Sequence, residues 1–278
     1  MSAPRLLAVD LDGTLLARNG VPHEADVKAL RAAREAGVIV TILTGRLIAG
    51  SRASASALGL VGPIGCADGA HIVDVATEAS LLHRTIAGPA AVQLQQHFAR
   101  AQASTFLFVK DTVVHDASGA GHLPYVRGWS EQLQHVGSVY EHAAWAGSAT
   151  GVTAVVSVGH EHQIRGTSEA IRAELAEHAQ VLSFQMHDGT WGLIARSVGV
   201  SKGTALRFIA EHSNVAMADT VAVGDWLNDL PMFAAAGRSF AMGQAPDEVR
   251  RAATSVLPET STSGGGIARV VREAFGVD

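Results

Sequence analysis

At 278 residues, with 47% hydrophobic and 17% charged residues, the chain has the balance of a globular protein long enough for one large or two modest domains. A formal net charge of −5 gives no electrostatic ground for nucleic-acid binding. The single cysteine, Cys66, excludes an intramolecular disulfide and any multi-cysteine zinc site.

Leu6-Leu7-Ala8-Val9 is an apolar run too short for a helix and suited to a buried parallel strand. Asp10 and Asp12 follow it, and they interrupt the N-terminal apolar stretch far short of a signal segment or membrane span. With the single Cys66, this predicts a cytoplasmic protein with no membrane partner. Ala17 to Gly20 reads as a turn. Glu24 to Ala36 is predicted helical, with Val27, Leu30 and Ala33 on one face and Gly37 as the stop. Val38 to Leu43 is a second buried strand, running into Thr44-Gly45-Arg46, and a helix from about Leu47 to Leu58 follows. The unit is therefore βαβ, which implies parallel neighbours. Ile64 to Ala67 is a short third strand ending in Asp68-Gly69-Ala70, and a hairpin spans His71 to Arg84.

From Thr85 to Asp188 the pattern changes. It predicts a helix from Pro89 to Ala101, strands at Thr105–Val109 and Thr112–His115, and a helix within Leu123–His135. A strand at Thr153–Val158, a helix from about Ile164 to His178 and a strand at Val181–Met186 follow, while Gly137 to Gly151 carries no readable pattern. The doubly wound pattern is expected to resume after Trp191: a helix from Ser201 to His212, a strand at Thr220–Val223 ending in Gly224-Asp225, and a helix from Leu230 to Ala236. Further units then run to a last helix from about Gly266 to Phe275. The expected fold is α/β: a Rossmann-like doubly wound parallel sheet over residues 1–84 and 190–278, split by an inserted α/β domain over 85–189.

Three predicted strands end in polar residues at one sheet edge: Asp10/Asp12, Thr44 and Asp225. A lone Asp after a strand is ordinarily a turn or capping residue, but convergence of several at one edge argues for a site. Asp10, Asp12, Asp225 and Asp229 would repel one another unless a cation sat among them, and oxygen-only ligation favours Mg²⁺. Mg²⁺ in turn points to a phosphate substrate. Asp229 reads as a metal ligand, a group behind the ligands, or a first-turn acid favoured by the helix dipole. Lys202 opens a helix, where a cation is mildly disfavoured, and a phosphate oxygen is a good reason for it to stand there. Asn228 is a candidate for contacting phosphate or for orienting Asp225. Gly199-Val200-Ser201-Lys202-Gly203 also fits G-x-S-x-G, but no strong apolar strand leads directly into it and Ser201 suffices as an N-cap. Nine of the thirteen histidines fall between Thr85 and Asp188 without ligand spacing, and His115 alone is singled out, as a substrate contact.

These residues resemble the haloacid dehalogenase superfamily, and within it the Cof-type phosphatases with a type IIB cap. Asp10-Leu11-Asp12-Gly13-Thr14 is similar to the first motif, Thr44 in Thr-Gly-Arg to the second, Lys202 to the third and Gly224-Asp225-Trp226-Leu227-Asn228-Asp229 to the fourth. The resemblance implies Asp10 as nucleophile and Asp12 as general acid/base. It also implies Thr44 and Lys202 on the transferring phosphoryl group, with Gly45 and Asn228 beside them. Mg²⁺ would be held by Asp10, Asp225 and the Asp12 carbonyl. Arg46 and Asp68 are further candidate substrate contacts; Asp68 stands where the family usually has Asn, an extra carboxylate that either alters substrate preference near the phosphate or simply caps the turn. The implied activity is hydrolysis of a small phosphorylated metabolite, a sugar or cofactor-type phosphate, through an aspartyl phosphate. The rival readings are a phosphotransferase or sugar-phosphate mutase using the same intermediate, and a non-catalytic phosphometabolite sensor. Neither the substrate nor an oligomeric state is legible.

Overall fold

The computed structural model describes residues 5–17, 19–147, 151–186 and 188–277. Its elements, in chain order, are β1 (Leu6–Val9), α1 (Glu24–Glu35), β2 (Ile39–Ile42), α2 (Ile48–Ala57), β3 (Pro63–Cys66), β4 (His71–Asp74) and β5 (Ser80–His83). Next come α3 (Gly88–Ala101), β6 (Ser104–Val109), β7 (Thr112–His115), α4 (Leu123–Val126), β8 (Leu133–His135), β9 (Ala154–Gly159), α5 (Glu161–Glu174), β10 (Ala179–Gln185) and β11 (Trp191–Ser197). The chain closes with α6 (Lys202–His212), β12 (Thr220–Gly224), α7 (Leu230–Ala235), β13 (Arg238–Ala241), α8 (Asp247–Ala252), β14 (Ser255–Val256) and α9 (Gly266–Phe275). Arg18, in the expected turn at 17–20, and residues 148–150 of the unpatterned stretch lie outside the described residues.

The chain divides into two compact units. The first comprises Met1–Gly45, Arg52–Leu81 and Ser201–Asp278. Its five-stranded sheet has the order β14-β13-β12-β1-β2, with every pair parallel. All four residues of β1 are fully buried, because the strand lies between β2 and β12 in the middle of the sheet. That position explains its unbroken apolar run. The strand order reverses between β1 and β12, and the crevice beyond the carboxyl ends of such a pair is where open α/β sheets bind ligands. A smaller sheet, β3-β4-β5, joins the end of β2 through a parallel bridge between Leu43 and Gly65. Helix α1 buries Ala29, Leu30 and Ala33, and its buried Asp26 accepts the N–H groups of Gly265 and Ala268 at the start of α9.

The second unit comprises Arg46–Ser51 and Leu82–Val200. Its six-stranded sheet has the order β10-β11-β9-β6-β7-β8 and is antiparallel except for the β7–β8 pair. The buried side chains of Leu94 and Phe98 from α3 and Ile164 and Ile171 from α5 join Leu107, Val155 and Leu193 of the sheet in one apolar core. Two expectations are corrected here. The doubly wound pattern resumes at Ser201 rather than directly after Trp191: residues 191–197 form β11, paired antiparallel with both β9 and β10. A strand therefore does precede Gly199, but it belongs to this antiparallel sheet, and Ser201 acts as the N-cap of α6, accepting from the Thr204 N–H. The helix expected within 123–135 is a single turn, α4, and residues 133–135 are instead the strand β8 beside β7. Gly128 and Ser130, poor helix formers, separate the two elements.

Candidate active site

The site is built at the carboxyl ends of adjacent strands. Asp10 follows β1 and is nearly buried, with its N–H bonded to the carbonyl of Val223 in β12. The chain then turns back on itself, so that the N–H groups of Leu15 and Leu16 reach the carbonyls of Asp10 and Leu11. Gly13 makes this turn possible. It has φ +81°, and a Cβ there would lie 2.2 Å from Asp225 Oδ2. Only glycine lets the backbone pass so close to that carboxylate in a left-handed conformation. Asp12 projects from the same loop and is solvent-exposed. Thr14 Oγ1 donates to Asp225 Oδ1 at 3.2 Å.

Asp225 follows β12. The turn after it is closed by Asp229, whose Oδ2 accepts the N–H groups of Asp225 at 2.8 Å and Trp226 at 2.9 Å. A Cβ at Gly224 would sit 2.4 Å from Asp229 Cγ, so the small residue before Asp225 leaves room for that carboxylate. Lys202, at the first position of α6, is fully buried. Its Nζ donates to Asp10 Oδ1 and to Asp229 Oδ1, each at 2.6 Å. One cation thus ties together two carboxylates from separate strand ends.

Burial alone would lower the Lys202 pKa, but Asp10 and Asp229, with Asp68 beyond them, overcome it and hold the ammonium above its usual range. Burial pushes Asp10 well above the ordinary carboxylate range; Lys202 opposes this, and Asp229 and Asp225 add to it. Burial, then the charge of Asp229, pushes Asp225 up to about 7 against its hydrogen bonds and Lys202. Ionising Asp10, Asp225 and Asp229 together would place three negative charges beside the one positive charge of Lys202.

Among the described residues, carboxylate oxygens of Asp10, Asp225 and Asp229 come within 4.8 Å of one another. The donor set is all oxygen, which fits a hard divalent cation. Both Asp229 oxygens already accept hydrogen bonds from Lys202 and two backbone amides, so its evident work is to fix Lys202 and the Asp225 turn. Asp225 accepts one hydrogen bond at each oxygen, from Thr14 and Gln244, and Asp10 accepts from Lys202 at Oδ1.

Thr44, at the end of β2, is fully buried; its N–H bonds to the Gly65 carbonyl and its carbonyl accepts from the Asp68 N–H. Asp68 is itself buried and left-handed, at φ 53°. Its Oδ1 accepts from Asn228 Nδ2 at 2.7 Å, and a Cβ at Gly45 would lie 3.5 Å from the same oxygen. Asn228 therefore faces Asp68, while the side-chain donors to Asp225 are Thr14 and Gln244. Arg46 and His115 belong to the second unit. Arg46 donates to the Gly50 carbonyl at 3.2 Å, and His115 is buried with its ring edge-on to His135 at 5.2 Å.

Two residues that the sequence reading did not single out touch the cluster, Thr14 and Gln244. Gln244 follows β13, and its Nε2 donates to Asp225 Oδ2 at 3.1 Å and to the Gly13 carbonyl, while its Oε1 accepts the Ser261 N–H at 3.1 Å. The available signal was positional: β13 ends at the same sheet edge as β1 and β12.

The sequence profile of the haloacid dehalogenase-like hydrolases matches residues 7–271. A pyridoxal phosphate phosphatase of Escherichia coli is 30% identical over 264 residues, which cover 93% of this chain and 94% of that protein. A 5-amino-6-(5-phospho-D-ribitylamino)uracil phosphatase of Bacillus subtilis is 24% identical, over 96% of this chain and 94% of its own. The fold is similar to that of a haloacid dehalogenase-like hydrolase from B. subtilis, with a TM-score of 0.82 at 23% identity, covering 96% of this chain and 99% of that one.

Proposed function

The chain belongs to the haloacid dehalogenase-like hydrolases, of the Cof type, and on that premise we propose that it is a Mg²⁺-dependent phosphatase working through an aspartyl phosphate on Asp10. The observation that carries the proposal is the buried Lys202, bonded at once to Asp10 and Asp229 beside Asp225. Asp10, Asp225 and the Asp12 carbonyl would hold Mg²⁺. When bound, the ion supplies charge neutralisation that lets a phosphate approach this acidic cluster.

The chain's own residues account for the rest. An Asp10 oxygen attacks phosphorus, and the bond from phosphorus to the ester oxygen breaks. Asp12, two residues on and reachable from solvent, gives its proton to the departing oxygen. Water then attacks the phosphoryl group on Asp10, Asp12 takes a proton from it, and inorganic phosphate and free Asp10 result. Lys202 spends two of its three N–H donors on Asp10 and Asp229, which leaves one for a phosphoryl oxygen. Thr44 is assigned to another phosphoryl oxygen. The second unit is assigned leaving-group selection, with the substrate a small sugar or cofactor-type phosphate.

Hydrolysis of an aryl phosphate, and of a panel containing pyridoxal phosphate and sugar phosphates, tests the proposal. Phosphate release with Mg²⁺ that a chelator abolishes is expected. Turnover indifferent to chelation, or none on any phosphomonoester, contradicts it.

A further inference from the structure

Gln244 is exposed, yet both ends of its amide are committed. Two acceptors, the Gly13 carbonyl and Asp225 Oδ2, face Nε2, and one donor, the Ser261 N–H, faces Oε1. The amide has only one orientation that satisfies all three. An exposed glutamine with no task keeps its rotamer freedom, and this one gives it up.

Its partners lie on three loops at one edge of the sheet. Gly13 follows β1, Asp225 follows β12, and Ser261 lies beyond β14, while Gln244 itself follows β13. The Asp225 carboxylate is held at both oxygens, by Thr14 at Oδ1 and by Gln244 at Oδ2. Asp229, its neighbour in the cluster, repels it. Without the Gln244 donor, one oxygen of Asp225 loses its restraint while that repulsion persists. The Gly13 turn, which passes within a Cβ's reach of the same carboxylate, loses its tether too.

We infer that Gln244 is a positioning residue for the cation site, fixing Asp225 and the Gly13 turn in the arrangement that accepts a divalent ion. The inference rests on the reading of Asp10 and Asp225 as cation ligands. Groups that orient metal-binding carboxylates in this way typically contribute ten- to a hundred-fold in metal affinity.

The test is calorimetric titration of Mg²⁺ alone into the chelator-stripped full chain, for the wild type, Gln244→Ala and Gln244→Met. Methionine keeps the length and loses the polar ends. Both variants are expected to bind Mg²⁺ about ten-fold more weakly. Their urea midpoints in chelator should match the wild type, and the activity they lose at low Mg²⁺ should return as Mg²⁺ is raised. Unchanged Mg²⁺ affinity would overturn the inference. So would an activity loss that excess Mg²⁺ does not restore, coupled to a lowered urea midpoint, since that describes a loop tie and nothing more. A wild type that binds no Mg²⁺ would instead remove the cation reading, and the inference with it.

Discussion

Replacing Lys202 by methionine strikes the centre of the site while conserving side-chain volume, so no cavity contributes. Lys202 is fully buried and makes two charge-assisted bonds of 2.6 Å, to side chains 6% and 0% exposed. Hydrogen bonds to charged groups contribute about 1.5–3 kcal/mol each, and breaking a buried ion pair by removing one partner costs about 3–5 kcal/mol. Lys202→Met is therefore expected to lose about 3–5 kcal/mol of unfolding free energy at neutral pH in chelator. The loss should depend on pH. Burial already raises Asp10, and without the opposing ammonium it rises further. The folded variant then holds protons that the unfolded chain has released, so the variant regains stability as pH falls. Adding Asp10→Asn removes one of the stranded charges and should recover part of the loss, through a coupling on the order of 0.5–3 kcal/mol. Urea unfolding of the wild type, both single variants and the double variant, at about pH 5 and pH 7.5 in chelator, measures all of this. A Lys202→Met variant within about 1 kcal/mol of wild type at both pH values would refute the reasoning.

Gly13→Ala places a Cβ 2.2 Å from Asp225 Oδ2 at a left-handed position. A kcat lower by about 100-fold is expected, as for an ångström-scale displacement of catalytic groups, and near-normal kcat would contradict the close approach. Asp26→Ala removes the acceptor for two N–H groups at the start of α9 and should cost about 1–2 kcal/mol in urea, with kcat unchanged. Without cation, Asp225 titrates at about 7, above its unfolded value, so folding takes up a proton and stability falls as pH rises through that window. The melting-temperature gain on adding Mg²⁺ should accordingly be larger at about pH 8 than at about pH 5; an equal gain would contradict the shared burial of these carboxylates.

Much of the first unit was legible because its signals are local. Leu6–Val9 had to be a buried strand, and the residues after β1, β2 and β12 had to share one sheet edge because a parallel sheet aligns its strand ends. β11 was not legible. Trp191-Gly192-Leu193-Ile194-Ala195 lacks clean alternation, and what makes it a strand is pairing with β9 and β10 on either side. The Asn228–Asp68 bond and the Gln244–Asp225 bond were hidden for a related reason. A glutamine or asparagine in a loop has no preferred partner until the fold brings one within hydrogen-bond distance, and these partners lie 160 and 19 residues away. The position of Lys202 at the start of a helix marked it as unusual, but its grip on Asp229 depends on how α6 meets the turn after β12.

The central claim is that Asp10 carries the phosphoryl group. Acid-quenching the enzyme during turnover of a phosphomonoester with Mg²⁺, then mapping the phosphorylated peptide by mass spectrometry, tests it directly. The phosphoryl group is expected on Asp10, and absent from Asp10→Asn once deamidation has been excluded. A phosphoryl group on another residue, or undiminished turnover by Asp10→Asn, would contradict the account.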